Sequence, residues 1–223
     1  MFSDTDRRAI ADAITAAEAT TSGEIVAIVS DRADHYPATG LTYAALLAFA
    51  LPLAATLLGY GPDRIAVLGD WSSGDAAQDL RRAVEAYAAV QITVFVVAAL
   101  LFVRTGLGAR LTPRHIKRDR VHAAALTQFR ARGIGATRAH TGVLIFVSLP
   151  DRIAEVVADT AIYAKVSPDH WATTVTALTD GIKAGRSGAG FVAAIRLAGT
   201  VLTEHFPATG DNPDELPNRL IEI

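Results

Sequence analysis

Two long runs without charged side chains constrain this chain more than any other feature. The first extends from Leu41 to Tyr60 and is as long as an α-helix that crosses a lipid bilayer, about 20 residues. The second extends from Ala86 to Val103 and can lengthen past Glu85 if that carboxylate reaches toward the interface. The pattern predicts a transmembrane hairpin at 41–104. Two core helices of a soluble protein are the alternative, although such helices are rarely apolar on every face.

The charges that flank the two runs predict how the hairpin is oriented. The segment after the second run is strongly basic, whereas the connecting loop, 62–82, mixes acids with arginines. Because basic flanks stay in the cytoplasm, we expect the loop outside and both termini in the cytoplasm. The first residues lack the apolar core of a secretory signal, so the first run is expected to direct insertion. The sequence thus indicates a multi-pass protein of the bacterial inner membrane.

The basic segment also predicts contact with the lipid bilayer itself. Each basic side chain near an anionic leaflet contributes on the order of 1 kcal/mol to adhesion. The candidates for this membrane-surface role are Arg110, Arg114, Lys117, Arg118 and Arg120.

The segments outside the hairpin predict a single α/β domain. Residues 24–30 are short, apolar and β-branched, which is typical of a strand buried on both faces. A lone strand needs partners, and the two other strand-like runs, 142–149 and 152–159, come after the hairpin as a predicted antiparallel pair. The hairpin is therefore expected to interrupt a small mixed sheet that is flanked by helices.

Helix signals complete the predicted domain. Ser3, with Asp6 three positions on, predicts a capped helix that ends near Ala19, and cap-plus-proline pairs predict helices at 112–132 and 167–185. Ser187 is predicted to cap a last helix, in which Arg196 favours a docked helix over a third membrane span. The predicted boundaries are 1–40 and 105–206 for the two parts of the domain, 41–104 for the hairpin and 207–223 for a tail that docks on the domain.

Four segments resemble the TPM-domain family. They are the strand starts at Thr21–Val26 and Thr141–Ser148, the strand at Arg152–Asp159 and the Leu-Pro-Asn-Arg-Leu-Ile-Glu tail at Leu216–Glu222. The chain is most similar to a bacterial membrane-protein branch in which two transmembrane helices interrupt the domain. The resemblance implies an α/β fold, with acid phosphatase activity in some members and binding of calcium or another divalent cation in others.

The predicted ends of the strands carry the weak candidates for a metal site. Asp31, Asp34 and Asp159 follow strands, with His140 nearby, and carboxylate oxygens there could bind Ca²⁺ or Mg²⁺. The alternative is that each Asp begins a turn or caps a helix. Many family members have an acid and Asn where this chain has His140 and Thr141, so the sequence favours a weakened site.

Two other patterns have structural alternatives. His115, Asp119 and His122 share one helical face and could bind zinc, or they could form a solvated face beside lipid headgroups. The glycine-rich stretch 181–190 resembles a phosphate loop but lacks its Gly-Lys-Ser/Thr ending, which favours a helix–helix connection.

Composition excludes several classes of function. The formal net charge is −2, which gives no electrostatic case for nucleic acid, and the absence of cysteine removes thiolate catalysis and Cys-based metal sites. We expect an interaction or assembly module that faces the cytoplasm and has a membrane-protein partner. A divalent-metal-assisted, phosphatase-like hydrolase is the alternative, so enzymatic activity is left open.

Overall fold

A computed structural model of the protein describes residues 2–31, 36–61, 75–208 and 214–223. The chain divides into two compact units. Unit 1 comprises Met1–Ala33 together with Arg114–Ile223, and unit 2 comprises Asp34–Pro113. The two segments of unit 1 form one folded body because the first strand finds its partners in the second segment.

The elements of the described residues follow in chain order. The helices are α1 (Asp4–Glu18), α2 (Pro37–Leu57), α3 (Ala76–Thr105), α4 (Leu107–Leu111), α5 (Arg114–Ala131), α6 (Thr160–Tyr163), α7 (Pro168–Lys183) and α8 (Ser187–His205), with a 3₁₀ turn at Ile134–Ala136. The strands are β1 (Glu24–Ser30), β2 (Gly142–Ser148), β3 (Ile153–Ala158) and β4 (Leu220–Glu222).

Unit 1 is built on a four-stranded mixed sheet with the order β3-β2-β1-β4. β1 is parallel to β2, with Glu24 opposite Gly142 and Ser30 opposite Ser148. β3 is antiparallel to β2, as its sequence predicted, and lies at one edge. The α/β class with a small mixed sheet is confirmed, and β1 is buried on both faces as its β-branched composition indicated.

Helices cover both faces of this sheet, so unit 1 has three layers. On one face, the side chains of β1 at Ile25 and Val29 pack with buried residues of α1, α7 and α8, among them Ile14, Leu178 and Phe191. On the other face, α5 covers β1 and β2 with a smaller set, namely Val121 and Ala125 against Val26, Ile28, Leu144 and Phe146. The last helix, α8, is a docked core helix, as the charge in its middle predicted.

The helix caps follow the sequence signals at Ser3 and Ser167 but not at Thr112 or Ser187. Thr112 instead ends α4, where its hydroxyl donates to the Gly108 oxygen at 2.8 Å, so α5 begins at Arg114 rather than at Pro113. The Ser3 hydroxyl accepts from the Asp6 N–H at 3.1 Å, and the Asp6 carboxylate accepts from the Ser3 N–H at 3.1 Å, so the capping box is confirmed. Ser187 is the first residue of α8 rather than its cap; Arg186 holds the cap position and makes no side-chain capping bond. The helix therefore begins one position earlier than a serine cap would give.

Unit 2 contains two helices that are long and apolar enough to cross a membrane by length and composition, Pro37–Leu57 and Ala76–Thr105. They pack on each other through small residues, Gly40, Ala44 and Ala98, and through stacked rings of Tyr43 and Phe102. Only 22% and 17% of their most apolar windows are buried, so neither is a core helix of this structure.

The bounds of these helices differ from the predicted ones. α2 begins before Leu41, and α3 begins ten residues before Ala86, because Asp75 caps it by accepting from the Ala77 N–H at 3.0 Å. The end of the predicted loop is thus helical, while 62–74 lie outside the described residues.

Candidate functional site

The carboxyl end of β1 and β2 is the end from which the chain leaves unit 1 and to which it returns. The Leu149 N–H donates to the Ser30 oxygen at 3.0 Å, so the ends of the two strands are level. Lys117 of α5 pairs with Asp151, which follows β2, at 3.2 Å. The first turns of α5 therefore lie at the same end as the exit from β1.

The predicted metal ligands are not brought together. Asp31 follows β1 at this carboxyl end, where its N–H donates to the Ile223 oxygen at 3.2 Å. Asp159 follows β3, which runs antiparallel, so Asp159 lies at the opposite end of the sheet beside Gly142, its N–H donating to the Gly142 oxygen at 3.0 Å. Asp34 lies outside the described residues.

Asp159 instead meets His140 at the amino end of β2. One carboxylate oxygen, Oδ1, caps α6 by accepting from the Thr160 N–H at 2.5 Å. The other, Oδ2, is buried without a hydrogen bond and lies 3.5 Å from His140 Nδ1. His140 has a positive φ of 53° and its Nδ1 lies 3.0 Å from the Gly135 oxygen. The Gly135 oxygen is thus the hydrogen-bond partner of this imidazole, with the carboxylate beside it, and among the described residues no hydroxyl is hydrogen-bonded to the imidazole as a nucleophile would be.

A second acidic group lies at the same amino end, on the β4 side of the sheet. Glu18 ends α1, Glu24 begins β1 and Asp214 lies in the C-terminal tail, and one carboxylate oxygen of each comes within 4.8 Å of the other two. We call these three residues the carboxylate cluster. Glu18 and Glu24 are 7% and 3% exposed, which is unusual for acids, whereas Asp214 is exposed.

Backbone donors hold the two buried carboxylates in place. Glu18 accepts from the Ile25 N–H at 2.8 Å, on the outer edge of β1, and Glu24 accepts from the Leu216 N–H at 3.3 Å. Burial raises the pKa of the Glu18 carboxyl to about 8, and the neighbouring acids Glu24 and Asp214 add to the shift. Burial also raises the pKa of Glu24 above its ordinary value. Both shifts have the direction expected for carboxylates withdrawn from water.

The cluster lines a cavity of about 260 Å³ that also contacts Thr15 and Asn218. The Asn218 amide donates to Asp214 at 3.1 Å, while its Oδ1 atom is buried and has no hydrogen-bond partner. None of the three carboxylates forms an ion pair with a basic side chain of the described chain. Three converging carboxylate oxygens are suitable ligands for a hard divalent cation.

The basic residues of the predicted membrane surface divide between the two units. Arg110 ends α4 in unit 2. Arg114, Lys117, Arg118 and Arg120 occupy the first turns of α5 in unit 1, where Arg114, Arg118 and Arg120 are exposed and Lys117 is half-buried against Asp151. Three exposed basic side chains thus lie at the end of unit 1 where the chain enters and leaves it.

The other sequence patterns follow their structural alternatives. His122 Nδ1 lies 2.8 Å from Glu155 of β3, while His115 and Asp119 are exposed, and among the described residues no third metal ligand joins them. The stretch 181–190 ends α7 and begins α8, as a helix–helix connection does. Its Gly181 and Gly190 allow the two helices to approach closely, since an added Cβ on Gly181 would lie 2.5 Å from the Gly190 Cα.

Sequence reasoning missed the carboxylate cluster, for which there was one weak signal. Glu18 stands at a helix end where acids oppose the helix dipole, and Glu24 opens an otherwise apolar buried strand. Acids in such places need a structural reason. Asp214 carried no signal, because its position depends on how the tail docks.

Comparison with known proteins supports the fold and nothing beyond it. The NMR structure of the BA42 protein from the psychrophilic bacterium Bizionia argentinensis matches this chain with a TM-score of 0.57 and 22% sequence identity, over 100% of this chain and 95% of the other. No protein-family model matches the chain, and no curated protein does. The chain shares an α/β fold with BA42, and its activity has to be argued from its own residues.

Proposed function

We propose that this protein is a membrane-anchored α/β module that faces the cytoplasm and binds or helps to assemble a membrane-protein partner. The observation that carries the proposal is the insertion of unit 2 between β1 and its partner strand β2. Two helices with apolar side chains exposed along their length interrupt one sheet, and both connections leave unit 1 at the carboxyl end of β1 and β2.

A groove between α1 and α8 supports the binding role. It encloses about 960 Å³, its floor is formed by small residues such as Ala13, Ala16 and Gly199, and its rim carries Asp12, Arg196 and Glu204. Concave apolar surfaces with charged rims favour the binding of a partner segment. The TPM resemblance of the strand starts and of the tail agrees with this α/β module.

The location is tested by fractionation and by cysteine labelling of the full chain. The chain has no cysteine of its own, so a thiol reagent labels only the cysteine that each substitution introduces. We expect the protein to resist alkaline extraction from membranes, a cysteine at Ala77 to react with an impermeant thiol reagent in intact cells, and one at Ala123 to react only after lysis. Extraction into the soluble fraction, or the reverse labelling pattern, would contradict the proposal.

The carboxylate cluster favours a second candidate, a divalent-metal-assisted hydrolase of the phosphatase type. Glu18, Glu24 and Asp214 could hold Ca²⁺ or Mg²⁺, which would polarise a phosphoryl oxygen. A phosphomonoester assay on the detergent-solubilised chain, with and without each metal, separates the two candidates. If the protein is a binding module, we expect no metal-dependent turnover of the phosphomonoester. Turnover that requires metal and is lost in Glu24→Gln, but kept in the exposed-site control Asp12→Asn, would replace the module by the hydrolase.

A further inference from the structure

The outer edge of the sheet is closed by a very short strand from the C-terminal tail. β1 has seven residues, but β4 pairs with only three of them, Ala27, Ile28 and Val29. Beyond β4 the pairing continues by two bonds: the Ile223 N–H donates to the Val29 oxygen at 2.9 Å and the Asp31 N–H donates to the Ile223 oxygen at 3.2 Å. A parallel pairing of this length is among the least stable ways to cover a strand edge.

Apolar side chains of the tail fit both faces of the sheet. Leu220 joins the core on the α1 side, while Leu216, Ile221 and Ile223 pack on the α5 side. Glu222 accepts from Arg7 of α1 at 2.7 Å, and both side chains are partly exposed. The edge of β1 therefore accepts an extended segment with apolar residues at defined positions and an acid opposite Arg7.

The amino end of this edge is mismatched with the tail that occupies it. Glu18 already accepts from the Ile25 N–H, so no further strand residue of the tail can bind there. Asp214 then brings a third carboxylate to Glu18 and Glu24, and no basic side chain of the described residues pairs with any of them. Burial already disfavours the ionised forms of Glu18 and Glu24, and the nearby Asp214 carboxylate adds to this, so an acid is a poor match for this position.

We propose that the outer edge of β1 is a strand-addition site, that segment 214–223 occupies it as a replaceable strand, and that the partner is an extended protein segment with a basic residue at the position of Asp214. This deepens the proposed function, on which it rests, by naming the chemistry of the partner. The partner segment carries apolar residues where the tail has Leu216, Leu220 and Ile221. Backbone bonds to β1 are then exchanged one for one, as in other β-strand additions.

The charge at the first position decides which of the two segments binds more tightly, because their backbone hydrogen bonds and apolar contacts with β1 are the same. An incoming cation would favour the ionised forms of Glu18 and Glu24, which the carboxylate of Asp214 disfavours, while the ladder and the apolar contacts are the same for both segments. A contact of this kind changes affinity by about tenfold or more. The edge is therefore selective for a basic residue at one position.

The test uses two peptides on the full chain in detergent micelles. One has the sequence of residues 214–223, and the other has Lys at its first position in place of Asp. We expect the Lys peptide to bind the chain about tenfold more tightly than the tail peptide, measured by fluorescence anisotropy. Binding of the Lys peptide should also speed hydrogen exchange of the amides at Ile221 and Ile223 while those of Ala27 and Val29 stay protected.

A disulfide variant provides the matched control. Val29 and Glu222 are in register on neighbouring strands, which lie about 4.8 Å apart, a separation that a disulfide spans. In Val29→Cys/Glu222→Cys the reduced chain should bind the Lys peptide and the oxidised chain should not, because its tail cannot leave. Equal binding to both forms, or no binding to either form at about 1 mM peptide, would overturn the inference.

A charge substitution in the chain supplies the converse measurement. Asp214→Lys gives the chain's own tail the favoured residue, so binding of the Lys peptide should fall by about tenfold. Asp169→Lys makes the same charge change at an exposed position of α7, outside the groove and the carboxylate cluster, and should leave binding unchanged. An Asp214→Lys chain that binds the peptide as tightly as the wild type would refute the exchange. Membrane extraction and cysteine labelling at Ala77 and Ala123 do not depend on residues 214–223, so a failure here leaves the proposed membrane-anchored module standing.

Discussion

Replacing the buried carboxyl of Glu18 by an amide should change how the stability of unit 1 depends on pH. Burial raises the pKa of this group to about 8 in the folded chain, from an ordinary value of 4.5. A group whose pKa is higher in the folded chain than in the unfolded chain makes its full contribution to stability when the pH is below its pKa in the unfolded chain. That contribution declines as pH rises and is lost once pH passes the folded value.

The size of the effect follows from these two values. Between about pH 5 and about pH 9, the wild-type chain should lose about 4 kcal/mol of unfolding free energy through this group, with 1.36 kcal/mol for each pKa unit. Glu18→Gln removes the titrating group and keeps an acceptor for the Ile25 N–H. The variant should match the wild type near pH 5 and exceed it in stability near pH 9.

Urea unfolding in detergent micelles measures this difference. Trp171 is buried in the core of unit 1, so its fluorescence reports on that unit, and Trp71→Phe in the background removes the other tryptophan. Asp12→Asn is the matched control, because Asp12 is an exposed acid of the same helix. A Glu18→Gln chain whose stability falls between about pH 5 and pH 9 as steeply as that of the wild type and of Asp12→Asn would refute the reasoning.

Substitutions at three further positions test the packing and the capping of unit 1 in the same urea assay. Gly142→Ala should destabilise it by about 3 kcal/mol, because the added Cβ would collide with the backbone oxygen of Ile134; a loss below about 1 kcal/mol would mean that this turn can move. Phe191→Ala should cost about 3–5 kcal/mol by removing a fully buried ring that packs edge-on against Phe2; a cost near that of an exposed substitution would contradict its burial. Ser3→Ala should cost about 1 kcal/mol through loss of the capping box, whereas Ser3→Thr keeps the hydroxyl and should keep most of the stability.

Much of the fold of unit 1 could be predicted because its signals are local. The β-branched run at 24–30 and the two strand-like runs after the second apolar segment predicted strands, and the caps at Ser3 and Ser167 predicted helix starts. The pairing of β1 with β2 followed from the need of a buried strand for a neighbour. β4 was not predicted as a strand, because Leu220–Glu222 has only three residues, too few to show an alternation of apolar and polar side chains.

The candidate site was harder to predict than the fold. A rule for open α/β sheets placed the acids at the carboxyl ends of strands, but β3 is antiparallel, so Asp159 lies at the opposite end from Asp31. The carboxylate cluster joins Glu18 and Glu24 to Asp214, which is far away in the sequence and reaches them only through the docking of the tail. Such a convergence is a property of tertiary packing and leaves no local pattern.

The position of unit 2 within the chain also sets the order of events during synthesis. When β1 leaves the ribosome, the chain that will pair with Glu24–Ser30 has not been made, and α2 and α3 follow before it. Closing a loop of this length is slow relative to local helix formation. Both apolar helices are therefore synthesised while β1 is still unpaired. Translation of β2 is consequently the earliest moment at which β1 can acquire a neighbour, so unit 1 can fold only after both apolar helices have been synthesised.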